Sequence, residues 1–294
     1  MRTVDFDSPK HTFSGHDTFH CRPLWLKKGY DFVRAGGNFN NEDAVVQLGV
    51  GKNMVSSIRY WLKAFNLIDQ QDKLTQFSQK LFDDENGYDP FLEDETSLWL
   101  LHYHLVKTGH ASIYNIIFNE LRKEKLHFNR DTFVNFIKRT RGGASDNNFN
   151  ENTLLKDFDV FTKMYKGDQD SKDVEDISSG FLSEIDILKI EGKSKDLKCY
   201  IENNEKDSLN EILVLYTILD NPNYSQSISL NSLEFDSNSP GSVFALSRSG
   251  LLNKISDLTR DNKNITFTDH AGIKELQLKK KVDAFTILDS YYGK

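Results

Sequence analysis

Only two cysteines occur in the chain, Cys21 and Cys199, and they lie far apart. A secreted disulfide scaffold needs more cysteines at closer spacing, so a reducing, cytoplasmic compartment is expected. Neither cysteine sits in a CxxC pair and no HExxH segment is present, so the familiar zinc signatures are absent. No GxxxxGK[S/T] occurs, and a nucleotide-hydrolysing phosphate loop is not expected. No apolar run approaches the roughly 18 residues that span a bilayer. The opening MRTVDFDSPKHTF lacks the apolar segment of a secretory leader. A membrane is therefore not an expected partner.

What is present reads as a soluble globular chain, with 38% hydrophobic and 28% charged residues. A net charge of -7 argues against coating a nucleic acid by bulk attraction. The charge is unevenly spread, however. Residues 1–80 carry a net +3, residues 81–246 a net -13 and residues 247–294 a net +3. Local patches decide DNA contact, so the basic ends remain candidates. The acidic middle suits protein partners or metal ions.

Three parts are expected: 1–90, 91–176 and 177–294. In the first, Glu42–Leu48 and Asn53–Phe65 read as helices around the glycine turn GVGK at 49–52, with Asn40 or Asn41 as N-cap. Val55, Ile58, Leu62 and Phe65 recur on one apolar face. Lys52, Ser56, Arg59 and Lys63 recur on another, where cations and small polar groups meet phosphates and base edges. The polar turn Asp69–Lys73, followed by an extended segment from Leu74–Thr75, would form the wing of a winged helix-turn-helix. The second part reads as helices: Thr96–Thr108, stopped by Gly109, then Ser112–Lys125, Asp131–Arg139 and Thr153–Tyr165. A polar loop with Asp146, Asn147 and Asn148 and an acidic stretch at 167–176 separate elements. The third part is mixed. Strand-like alternation is expected over Phe181–Glu191, paired with Lys198–Glu202, and helices over Ser208–Asp220 and Ser247–Thr259. Short strands at Ile265–Thr268 and Ile273–Leu278 complete a second winged-helix-like unit. The fold class is therefore mainly α with small β-hairpins.

The densest chemistry lies at 14–28, SGHDTFHCRPLWLKK. Imidazoles serve as bases or metal ligands, carboxylates hold divalent cations, and arginine clamps phosphate. His16, Asp17, His20 and Arg22 are the candidate catalytic residues, with Lys27 as a further DNA contact. Gly15 and Pro23 favour an extended or irregular course, in which His16, Thr18, His20 and Arg22 share a face. The plain alternative is a core segment anchored by Phe13, Phe19, Leu24, Trp25 and Leu26. Weaker candidates are Asp157 with Asp159, which read as an exposed helix face, and Glu191–Gly192–Lys193, which reads as a hairpin turn. His102 and His104 alternate on one helix and face different sides. His110 follows a helix-stopping glycine and reads as a capping residue.

The block SGHDTFHCRPLWLKKGYD resembles the opening motif of a bacterial family found beside DNA phosphorothioation genes. The match falls on His16, Thr18, Phe19, Arg22, Trp25 and Lys27. The resemblance implies a DNA-nicking endonuclease of a single-stranded phosphorothioation (anti-phage) system. It further implies partnership with a sulfur-transfer enzyme and an ATPase. Magnesium would serve as the cofactor for phosphodiester hydrolysis, and a homodimer is left open. The alternative is a non-catalytic DNA-binding adaptor that recruits the sulfur-transfer complex, or a scaffold that never touches DNA.

Overall fold

A computed structural model describes residues 11–141, 150–167, 180–192 and 197–294. The polar loop with Asp146, Asn147 and Asn148, Lys193, and all but the first residue of the acidic stretch 167–176 lie outside the described residues, as does most of the arm 1–12. Helices dominate, joined by two small three-stranded antiparallel sheets, in agreement with a mainly α chain.

The 14–28 block is not extended throughout. Its second half opens α1 (Trp25–Arg34), which buries Trp25, Leu26, Gly29, Tyr30 and Phe32. Those residues keep a helical period, and Pro23 lies before the first turn, where it does not oppose the helix. Helix α1 lies against α3 (Lys52–Ala64) at Gly29, where a Cβ would come within 2.6 Å of Leu62 Cδ1. The short α2 (Ala44–Leu48) ends at Gly49 in the left-handed region, φ 60°. Asp43, not Asn40 or Asn41, occupies its N-cap position, and no side chain caps it. Val55, Ile58, Leu62 and Phe65 are all buried, as their spacing predicts.

The expected wing is reduced to a turn. Asp69–Lys73 closes on a single bridge between Ile68 and Leu74. Thr75 then caps α4 (Gln76–Phe82), its hydroxyl accepting from Ser78 N–H at 3.1 Å. Phe77 and Leu81 lie one helical turn apart and are both buried, so helix wins over strand here.

Helix α5 (Glu95–Thr108) is capped by Asp94 and stopped by Gly109 at φ 63°. It is buried around most of its girth. His102 bonds Tyr165 Oη at 2.9 Å and the Val243 carbonyl at 3.0 Å; His104 faces elsewhere, bonding Tyr216 Oη at 3.1 Å. The next helix is not uniform. Helix α6 (Ser112–Ile116) passes through a π-helical turn at Ile117–Leu121 into α7 (Arg122–Glu124). Then come β1 (His127–Phe128), α8 (Arg130–Arg141) and α9 (Glu151–Tyr165), the last capped by Asn150.

In the C-terminal part the expected strand over 181–191 contracts to β2 (Lys189–Glu191), with Phe181, Leu182, Ile185 and Ile187 buried in preceding turns. It pairs with β3 (Lys198–Tyr200), which also takes β1 on its other edge. Helix α10 (Glu211–Asp220) starts at an Asn210 cap. Strand β4 (Ser227–Ser229) and α11 (Leu230–Phe235) follow. Ser239 and Ser247 both act as caps, for α12 (Pro240–Val243) and α13 (Arg248–Asp261). Strands β5 (Ile265–His270) and β6 (Ile273–Leu278) form a tight hairpin. Its two turn residues, Ala271 and Gly272, both have positive φ (52° and 83°), as the strand twist demands. Strand β4 joins the other edge of β6. Sequence reasoning left α14 (Ala284–Tyr292) unassigned. It ties the C-terminus back to the N-terminal part, Asp289 accepting from Tyr88 Oη and Lys80 Nζ, both at 2.6 Å. Among the described residues no helix is long and apolar enough to cross a membrane.

Candidate functional site

Residues 14–20 form a tight loop pinned from inside by His16. Thr18 N–H donates to His16 Nδ1 at 3.2 Å, which leaves the ring proton on Nε2. Nε2 donates in turn to Asp157 Oδ1 on α9, at 3.0 Å. Ser14 N–H reaches the same oxygen at 2.9 Å, so one carboxylate gathers both ends of the SGH segment. The His16 carbonyl accepts from Ser57 Oγ at 3.0 Å, and the Phe19 carbonyl from Trp61 Nε1 at 3.1 Å, fastening the loop to α3. His16 is stacked on Trp61 and meets Tyr60 edge-on, with ring centroids 5.9 and 5.5 Å away.

The backbone is strained where it is pinned. Ser14, Asp17 and Thr18 all take left-handed φ values of 71°, 45° and 67°. Each costs on the order of 1 kcal/mol for a residue with a Cβ. Gly15, at φ 107°, is obligatory for a second reason: a Cβ there would stand 2.8 Å from Tyr60 Cδ2. Strain of this kind persists only where surrounding contacts over-determine it.

The pocket under the loop is apolar and aromatic. Tyr60 and Tyr114 are buried, and burial pushes both hydroxyls well above their ordinary range, with the Asp157 charge adding to it. Neither hydroxyl, nor Asp157 Oδ2, has a hydrogen-bond partner among the described residues. Burial also pushes the Cys21 thiol up, which removes it as a nucleophile.

The four expected catalytic residues do not converge. The turn at Asp17–Thr18 breaks the two-residue alternation on which a shared face depended. His16 is 3% exposed and both its ring nitrogens are engaged. Asp17 and Arg22 are exposed and His20 is half-buried. Arg22 stands over the Trp25 ring, 5.5 Å from its centroid. Lys27 is committed to Asp31 and Asp84, each at 2.7 Å. On α3, Lys52 and Ser56 are exposed, but Arg59 and Lys63 are drawn onto Asp72, at 2.6 and 2.9 Å. Burial raises the Asp72 carboxyl, yet its bonds to Arg59 and Lys63 outweigh that and hold it below the usual range.

Asp157 is the residue that sequence reasoning misplaced. It is 1% exposed, whereas Asp159 points outward to Arg130, so the two do not form a metal pair. The signal was available. Leu154, Asp157, Phe158 and Phe161 share one helical stripe, and Asp157 is the polar member of a core face. His110, read as a cap, instead packs its ring on Tyr60, centroids 4.9 Å apart. Gly192 takes a positive φ of 84°, with the residues after it outside the described ones, and Asp186 is paired with Lys189. Among the described residues no three His, Cys, Asp or Glu side chains come together to hold a metal ion.

Over 97% of its length the chain superposes on two crystal structures of SspB, each with a TM-score of 0.83 and covered over 88%. One is magnesium ion-bound, at 26% identity; the other is 27% identical. The resemblance carried by the SGHDTF block thus extends through the whole fold. No curated protein matches the sequence. A family model described as a protein of unknown function, DUF4007, matches residues 13–292, and the chain belongs to that family.

Proposed function

We propose that this protein is the DNA-nicking component of a DNA phosphorothioation system, acting with a sulfur-transfer enzyme and an ATPase. The observation that carries this reading is the whole-length structural similarity to SspB, with the SGHDTFxxR block as its local counterpart. In this reading His16 is a positioning residue. It holds the strained loop in which Asp17 and Thr18 are exposed, and Arg22 is exposed just beyond it. Arg22 is suited to a phosphate oxygen through charge-assisted hydrogen bonds. The exposed Lys52 and Ser56 on α3 supply further DNA contacts, within a helix-turn-helix made by α2 and α3.

Magnesium is proposed as the cofactor, supplying charge neutralisation at the phosphate. The described residues assemble no three-ligand cage. Asp17 is the exposed carboxylate of the loop, and magnesium commonly relies on one or two carboxylates with phosphate oxygens and water.

The test is a supercoiled-plasmid assay with magnesium and with a chelator, run beside a DNA-binding titration. Open-circular product that needs magnesium supports the nickase. Binding without nicking, with all partner proteins present, would replace it with the adaptor reading.

A further inference from the structure

Three oxygens under the SGH loop are buried without a hydrogen-bond partner among the described residues: Tyr60 Oη, Tyr114 Oη and Asp157 Oδ2. They come from three helices, α3, α6 and α9. Tyr114 and Asp157 are each 1% exposed. A buried polar atom gives up its bonds to bulk solvent, and an orphan recovers nothing in return.

The three gather round His16 and Trp61. Tyr60 meets the Trp61 ring edge-on at 5.2 Å and Tyr114 meets it edge-on at 6.2 Å, while His16 lies stacked on it. His16 Nε2 holds Asp157 by Oδ1 alone, which leaves Oδ2 in the same pocket without a donor. Burial is the main cause that pushes both hydroxyls up, and neighbours add to it: Asp157 at Tyr60, and Tyr165, Tyr60 and Asp157 at Tyr114. The three groups therefore lie within reach of one another's charge. Tyr165, the other phenol nearby, is already bonded to His102.

The chemistry of the trio selects its ligand. A carboxylate oxygen only accepts, whereas each phenol has one proton to give. Neither hydroxyl bonds Oδ2 directly. A molecule that can donate once and accept twice satisfies all three atoms together. Water does so with about three hydrogen bonds, the usual number for a buried water.

We propose that Tyr60, Tyr114 and Asp157 form a binding site for a single water molecule beneath the loop. The water donates to Asp157 Oδ2 and accepts from the two phenol hydroxyls. Asp157 is then tied to the loop by Oδ1 and, through water, to α3 and α6 by Oδ2. The site is independent of the nicking reading, because it involves neither DNA nor a metal ion.

Two measurements on the full chain test it. A high-resolution crystal structure of the wild type, grown with rubidium chloride, should show one water within hydrogen-bond distance of all three oxygens. Direct bonds from the phenols to Asp157, or an anomalous rubidium peak at the site, would overturn the water. The second measurement depends on sign. Tyr60→Phe and Tyr114→Phe keep the ring and remove one hydroxyl each. Loss of a water-bonded hydroxyl should raise the unfolding equilibrium constant about fivefold in urea titration. Loss of a true orphan should lower it, since an unsatisfied buried group is removed. Variants as stable as wild type, or more stable, overturn the site. The crystal readout uses the wild type and does not depend on either variant folding.

Discussion

Asp157 offers the sharpest perturbation. Changing it to alanine removes one oxygen that accepts from His16 Nε2 and from Ser14 N–H. His16, 3% exposed, cannot turn to water, so its ring donor is left unsatisfied in an aromatic pocket. An unsatisfied buried donor costs roughly 1–3 kcal/mol, and the less buried Ser14 bond adds about 1 kcal/mol, for a total of roughly 2–4 kcal/mol. In a chain of this length that lowers the melting temperature by about 5–10 °C. His16→Ala should cost a similar amount, because it breaks the same bond from the other side. The double variant should be less destabilised than the sum, with a coupling of about 1–2 kcal/mol. Urea unfolding followed by circular dichroism measures all three. Asp157→Asn keeps the accepting oxygen and should recover at least half of the loss. Single variants within about 0.5 kcal/mol of wild type, or strict additivity, would refute the pinning argument.

Three further outcomes follow from the same geometry. Gly15→Ala must place a Cβ 2.8 Å from Tyr60 at φ 107°, and should lower stability by about 2 kcal/mol in denaturant titration; an unchanged midpoint would count against the close approach. His102 is held neutral, its pKa lowered to about 4 by burial, so the unfolded chain binds more protons than the native one below about pH 6.5. Stability should therefore be full above that pH and fall as it drops toward 4, by roughly 3 kcal/mol, and a flat urea midpoint between pH 7 and 5 would contradict it. Asp72→Ala should release Arg59 and Lys63, tighten DNA binding and steepen its salt dependence by about one to two units, as read by fluorescence anisotropy. Arg59→Ala with Lys63→Ala should do the reverse, and equal salt slopes in both variants would remove the α3 face from the DNA interface.

How much of this was legible depends on the kind of signal. Helices α5, α10 and α13 could be read, because each carries a local stop or start signal: Gly109 ends α5, Pro222 follows α10 and Ser247 caps α13. The β5–β6 hairpin could be read because its turn chemistry is local too. Helix α1 was obscured by Gly15 and Pro23, which bound the loop before it rather than the helix itself. The wing failed at Thr75, a β-former that acts as an N-cap once Phe77 and Leu81 find the core. The π-helical turn at Ile117–Leu121 has no local pattern that distinguishes it from α-helix.

The loop chemistry shows what motif composition alone leaves undecided. A histidine beside an aspartate and an arginine suggests a catalytic group, and composition cannot say which side chains turn inward. That is decided 141 residues away, by a carboxylate on the core stripe of α9. Once Asp157 is buried, its Oδ1 needs donors, and His16 Nε2 and Ser14 N–H supply them. The consequence runs outward through the backbone. Drawing His16 in forces Asp17 and Thr18 into left-handed conformations, and that turn sets their side chains in solvent. The histidine is therefore fixed by packing, while the residues beside it are free to meet a ligand. Arg22, the motif's other charged member, is exposed because α1 starts three residues later and carries Trp25 under it. If the loop is the functional surface, Asp17→Ala, Thr18→Ala and Arg22→Ala should reduce activity without moving the thermal transition. His16→Ala should move both.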